Sequence, residues 1–131
     1  MRRLMGTAAG VAALVLASLT VLPGTAQAAT GTGYTSPSYY GNASFNTSTG
    51  RLTVNDTYGD SRRVVSSVWN LSLGGLHIVS GEDANGSNGT PGYAYASGGY
   101  APGDRLEIEV CRRNGPTATP TNCDSGYVTV N

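Results

Sequence analysis

Arg105-Leu106-Glu107-Ile108-Glu109-Val110-Cys111 alternates polar with apolar residues without a break, and this stretch decides the fold. A period of two puts Leu106, Ile108 and Val110 on one face of a strand. Arg105, Glu107, Glu109 and Cys111 fall on the other, which predicts a strand with one side in a core and one in solvent. The preceding Ala101-Pro102-Gly103-Asp104 has Pro and Gly where a type II turn needs them. No segment after residue 28 repeats its apolar residues at helical spacing.

Similar stretches lie on both sides. Arg63 to Leu73 is the longest, with Val65, Ser67, Trp69, Leu71 and Leu73 on its more apolar face and Val64, Ser66, Val68, Asn70 and Ser72 on the other. That pattern predicts Trp69 as a large core anchor. Gly74-Gly75 permits a tight hairpin turn, with Leu76 to Val79 returning. Upstream, Ala43-Ser44-Phe45 and Arg51-Leu52-Thr53-Val54-Asn55 flank the turn-like Thr47-Ser48-Thr49-Gly50 and read as a hairpin. Asp56 to Ser61 is a turn region, and Ser80 to Pro91 a polar loop. Gly92 to Ser97 alternates through Tyr93 and Tyr95, and Tyr127 to Val130 forms a last strand. About seven short strands predict a small antiparallel β-sandwich of the immunoglobulin-like kind.

Cys111 and Cys123 are the only cysteines, and they are expected to pair. The bridge would close a hairpin between the last two strands rather than join the two sheets. A loop of this length is worth about 3 kcal/mol in the chain-entropy view. A metal centre is the poorer reading, because two thiols and a distant, single His77 do not complete a tetrahedral site. No cofactor is expected.

The front of the chain reads as an export signal. Arg2-Arg3 gives a positive start, Leu4 to Leu22 an apolar run, and Ala26-Gln27-Ala28 a small-x-small cleavage pattern. Residues 1–28 are therefore expected to be a cleaved signal peptide, and 29–131 a single secreted domain. Gly6, Gly10 and Thr20 dilute the apolar run, which disfavours a retained anchor. The twin arginines leave the export route open between the general and twin-arginine pathways. Lysine is absent, and removing residues 1–28 leaves six Arg against eight Asp plus Glu. A slightly acidic domain offers no electrostatic footprint for nucleic acid or an anionic membrane.

The run Arg51-Leu52-Thr53-Val54-Asn55-Asp56-Thr57, the Gly59-Asp60 turn, the Val64-Val65 strand and a late strand ending Val110-Cys111, with a second Cys in the next loop, have a familiar layout. It resembles small secreted proteins of actinomycetes, most of them of uncharacterised function. Related sequences often add a cysteine pair, one member beside the Asp matching Asp56. Asn55 occupies that place here, so the second bridge is not implied. The resemblance implies a secreted β domain and brings no reaction with it.

Chemistry-bearing residues are sparse. His77 is the sole imidazole, and no Gly-x-Ser-x-Gly elbow is present, so the chain is not expected to be an enzyme. Glu107 and Glu109 share a face at a spacing glycosidases can use, but alternation puts them on the solvent side. Asp83, Asn85 and Ser87 have the alternate spacing of a calcium loop without its later glycine and closing glutamate. Tyrosine is in excess, with eight residues. Tyr93 and Tyr95, with Tyr100 close behind, form a candidate binding face, because exposed rings stack on sugars. Packing in the core competes with that reading, since Phe45 and Trp69 are the only other aromatics. Tyr34, Tyr39 and Tyr40 could make a mobile arm. Arg112 and Arg113 open the loop closed by the cysteines and form a candidate inhibitory loop, because a braced loop binds with little loss of entropy. The leading expectation is a non-catalytic extracellular binding module for a cell-wall or environmental polysaccharide or a surface partner. The alternative is a small secreted inhibitor or toxin-like protein acting through the Cys111–Cys123 loop.

Overall fold

The computed structural model describes residues 28–131, so the signal peptide expected over 1–28 lies, apart from Ala28, outside the described residues. Eight strands follow: β1 (Thr30–Tyr34), β2 (Gly41–Asn46), β3 (Arg51–Asp56), β4 (Arg63–Asn70), β5 (Leu76–Asp83), β6 (Gly92–Tyr95), β7 (Arg105–Arg113) and β8 (Thr121–Thr129). They make two four-stranded antiparallel sheets, ordered β1-β2-β3-β6 and β5-β4-β7-β8. The expected small β-sandwich is what the chain forms. Its core is the inward face of each sheet, with Phe45, Leu52, Val54, Val68, Leu106, Ile108 and Val110 wholly buried.

The alternating stretch at the heart of the sequence became β7, with its inward set as expected. The β2–β3 hairpin also formed, with Phe45 opposite Leu52 and Ala43 opposite Val54. The disulfide joins Cys111 to Cys123 within the second sheet and closes the β7–β8 connection. Cys111 keeps the outward position expected from alternation, opposite Val65, and is buried there. The register between β7 and β8 shifts between Val110 and Arg112, beside the bridge.

β4 corrects the sequence reading. Val64, Ser66, Val68 and Asn70 point into the core, while Val65, Ser67 and Trp69 lie outward. Directly opposed residues of neighbouring strands share a face. Ser66, Val68 and Asn70 stand opposite Val110, Ile108 and Leu106, so they must share the apolar face of β7. Asn70 tolerates full burial because its polar atoms are occupied. Its Nδ2 donates to the Gly99 carbonyl at 3.0 Å and to Asp104 Oδ2 at 2.7 Å, and its Oδ1 accepts from the Ser72 amide at 3.0 Å. Leu71–Leu73 leave the strand as a single 3-10 turn and stay exposed.

Strand β1 was not legible, because its inward positions are Gly31 and Gly33. They are glycine for a steric reason. A Cβ on Gly31 would meet Val128 and the end of Ile108 at 2.6–2.7 Å, and one on Gly33 would meet the Ile108 carbonyl at 2.5 Å. Across from them, a Cβ on Gly126 would strike the Thr32 carbonyl. The other margin repeats the device, with Gly92 of β6 set against the Glu82 carbonyl of β5. Glycines thus let the two sheets draw together along both margins.

Gly126→Ala is expected to cost about 1–3 kcal/mol, because overpacking forces the backbone apart. For a domain of this size that lowers Tm by roughly 5–20 °C. Gly59→Ala, where a Cβ would meet only Ser87 Oγ at 3.2 Å, should shift Tm far less. Thermal unfolding followed by circular dichroism checks both.

Candidate functional site

The outer face of the first sheet is built by register. Thr30, Asn46, Arg51 and Tyr95 form one cross-strand row; Thr32, Ser44, Thr53 and Tyr93 form the next; Tyr34, Asn42 and Asn55 form a third. Tyr93 and Tyr95 are 54% and 67% exposed, which rules out a core role for either ring. Alternate residues of a strand lie about 7 Å apart, so the two rings stand side by side. The Arg51 guanidinium sits 5.5 Å from the Tyr93 ring centre and braces it on the sheet. Asn55 Nδ2 donates to Asn42 Oδ1 at 3.0 Å. Hydroxyls and amides pave this face, and Arg51 is the single charge among its outward positions.

Tyr100 does not join Tyr93 and Tyr95. It packs edge-on against Phe45 at 5.6 Å, and its hydroxyl donates to the Thr47 carbonyl at 3.0 Å. Burial pushes its pKa up. Gly98-Gly99, both at positive φ, turn the chain after β6, so alternation does not carry through to Tyr100. Arg51 and Thr53 were missed as members of the face. Their outward position was readable from β3, but their pairing with β6 joins distant parts of the chain.

The N-terminal tyrosines are not an arm. Tyr34 belongs to β1, while Tyr39 and Tyr40 cluster with Tyr58 at centroid distances of 4.4–5.3 Å. The Arg112 guanidinium lies over the Tyr40 ring, 3.6 Å from its centre, and pairs with Asp60. The Tyr39 hydroxyl donates to that of Tyr40 at 3.2 Å, which raises the Tyr39 pKa and lowers that of Tyr40; Arg112 lowers the latter further.

This placement corrects the inhibitory-loop reading of Arg112 and Arg113. Both belong to β7, not to the loop. Arg112 is buried under Tyr40, and Arg113 is held by Glu82 at 2.5 Å. Residues 114–120 of the exposed loop carry no arginine.

Of the candidate calcium ligands, Asp83 has both carboxylate oxygens engaged by backbone amides. Asp83 is buried at the end of β5, where its Oδ2 accepts from the Asp56 amide at 2.9 Å and its Oδ1 from the Asn85 amide at 3.3 Å. The Asn85 Nδ2 donates to the Thr90 carbonyl at 3.2 Å. Among the described residues no group of three His, Cys, Asp or Glu side chains could hold a metal.

Glu107 and Glu109 lie on the outer face of the second sheet, as expected from alternation. His77 Nε2 is 2.7 Å from Ser80 Oγ, which is 2.8 Å from Ser67 Oγ. The other side of the imidazole packs against Trp69, at 4.8 Å between ring centres. No family model, curated protein or solved structure matches the chain.

One buried carboxylate offers a test of the packing between β3 and β5. Burial, reinforced by the Asp83 charge, pushes the Asp56 pKa above its ordinary value, against the lowering effects of the Tyr58 amide and Arg112. A carboxylate raised on folding favours the folded state at pH values below its unfolded pKa and loses that contribution as pH rises through its folded pKa. Asp56→Asn keeps the acceptor for the Tyr58 amide and removes the charge. Its Tm should exceed that of wild type at pH 7, and the gain should vanish below the ordinary carboxylate range. Melting curves from pH 3 to 8 would refute this if the two proteins matched at every pH.

Proposed function

We propose that this protein is a non-catalytic extracellular binding module that lays the outer face of its first sheet on a cell-wall or environmental polysaccharide. The observation that carries the reading is the pair of exposed rings, Tyr93 and Tyr95, on one edge strand, continued across the sheet by rows of Thr, Ser and Asn. A sugar ring has an apolar face and a polar rim. Tyrosine rings accept the first and hydroxyls and amides the second. The near absence of charge suits a neutral polymer, because no ion has to be stripped of water on contact. The flatness of a sheet suits an extended chain or an insoluble surface rather than a small solute.

Export is part of the same reading. It rests on the signal-like pattern over 1–28, on the disulfide, and on the absence, among the described residues, of any helix long and apolar enough to cross a membrane. Ala29 already belongs to the fold, its amide donating to Thr47 Oγ1 at 3.2 Å and its carbonyl accepting from the Thr47 amide at 2.9 Å. A cut after Ala28 therefore spares every strand. Of the residues offered for the inhibitor reading, Arg112 is buried and Arg113 is held by Glu82, both within β7.

Protein recovered from culture medium should give the N-terminal sequence Ala-Thr-Gly-Thr-Gly on Edman degradation; an intact Met1 in the medium would refute cleavage. The same material should co-sediment saturably with insoluble chitin, cellulose or peptidoglycan. Tyr93→Ala/Tyr95→Ala should weaken pelleting by about ten-fold or more while leaving Tm nearly unchanged, since stacking of one ring on a flat π or apolar surface is worth about 1 kcal/mol. Equal pelleting of mutant and wild type would refute the face.

A further inference from the structure

One end of the second sheet is apolar where it meets solvent. Among the described residues, every exposed large hydrophobic side chain is a tyrosine except three: Leu71, Leu73 and Leu76. All three lie in the tip that joins β4 to β5, and they are 38%, 56% and 46% exposed. No charged residue lies between Leu71 and Leu76. The tip is convex, because a Cβ on Gly74 or Gly75, both at positive φ, would meet nothing within 4 Å. Single exposed leucines are ordinary on a protein surface, whereas a cluster confined to one projecting turn marks a contact.

The tip is also built for an apolar medium. Backbone amides that leave water must find partners inside the protein. The Ser72 amide donates to Asn70 Oδ1 at 3.0 Å, the Gly75 amide to the Asn70 carbonyl at 2.9 Å and the Gly74 amide to the Leu71 carbonyl at 3.3 Å. The Ser72 hydroxyl accepts from the Arg105 amide at 2.9 Å. With the turn already fixed, contact costs little ordering entropy. Just behind the tip, one cross-strand row holds Trp69, Glu107 and Tyr127, and the Arg105 guanidinium lies 4.6 Å from the Tyr127 ring centre. Trp and Tyr are the rings that settle at the headgroup depth of a bilayer. Arg105 and Glu107 give this girdle one charge of each sign, while the Asp104 carboxylate accepts from the Asn70 side chain and the Ala101 amide. No positive excess is present to draw an anionic lipid.

We propose that the Leu71–Leu76 tip docks the protein on the surface of a zwitterionic phospholipid bilayer. Its three leucines enter the acyl boundary, and Trp69 and Tyr127 rest among the headgroups. Three half-exposed leucines offer far less area than the about 800 Å² per partner that a stable protein interface buries, which disfavours a second copy of the chain or a folded partner. A bilayer needs no matching surface, only apolar side chains that project into it. Tyr93 and Tyr95 belong to the other sheet, so this contact is independent of the polysaccharide face.

The test is flotation of the secreted, disulfide-bonded protein with vesicles of phosphatidylcholine alone and, separately, of phosphatidylcholine mixed with phosphatidylglycerol. Saturable co-flotation with the first is expected, with no gain from the second. Trp69 is the sole tryptophan, so its emission should shift to the blue as vesicles are added. Leu73→Ser removes one apolar anchor that lies outside the core, and should weaken partitioning about ten-fold at a nearly unchanged Tm. Leu71→Ser/Leu73→Ser should abolish flotation. Tyr93→Ala/Tyr95→Ala should float like wild type, which keeps a failure here distinct from a failure of the polysaccharide face. No flotation of wild type, or undiminished flotation of both leucine variants, overturns the proposal. So does binding that needs phosphatidylglycerol, which would be electrostatic. Self-association without lipid that Leu73→Ser abolishes would assign the tip to a second copy and overturn it equally.

Discussion

Ile108 lies opposite Val68, Val110 opposite Ser66 and Leu106 opposite Asn70, and this register between β4 and β7 settles which side of the second sheet is wet. A slip of one residue would exchange every inward side chain of β4 for its neighbour. Trp69 would then enter a core already filled by Phe45, Leu52 and Ile108. With the register as it stands, Trp69 rests outside against His77, and Arg63, Val65 and Ser67 come to the surface beside Glu82. The outer face of the second sheet is thus a product of the same pairing that closes the core.

Much of this was legible from the chain, for a physical reason. β3 and β7 bury apolar residues on one side and water polar ones on the other, and a period of two records that directly. β4 was misread because its two faces differ little in hydropathy. Trp69 and Leu71 weigh one side, yet Asn70 and Ser66 are the residues that go in. What admits Asn70 is a set of partners at Gly99 and Asp104, about thirty residues further on, and local alternation carries no trace of them. β1 failed in the opposite way. Its inward residues are glycines chosen for close approach, so the strand has no apolar period at all. The candidate site was half legible. Tyr93 and Tyr95 were recognised as sharing a face, but their exposure depends on how the sheets pack. Tyr100, close in sequence, belongs to the core instead.

The two outer faces divide the surface by chemistry. The first is broad, hydroxyl-rich and nearly neutral. The second gathers charge, with Arg63, Arg113 and Glu82 at one end and Arg105 packed on Tyr127 at the other, 4.6 Å from the ring centre. A domain with few ionisable groups has placed them unevenly, and that unevenness is hard to attribute to solubility alone. The Tyr39–Tyr40–Tyr58 cluster over Arg112 is a third feature, and it holds the fold together. It pins the segment between β1 and β2 and the loop after β3 to the end of β7.

The covalent link between Cys111 and Cys123 has a consequence for survival among hydrolases. The connection it spans holds Pro116 and Pro120 and is largely exposed, as accessible to a peptidase as any part of the molecule. A break in the backbone between those two cysteines would not release β8, because the sulfur bridge still ties it to β7. The nicked chain would keep both halves of its second sheet in register and run as one species until a reductant separated them. Wear at the weakest loop would therefore leave the architecture, and both of its faces, in place.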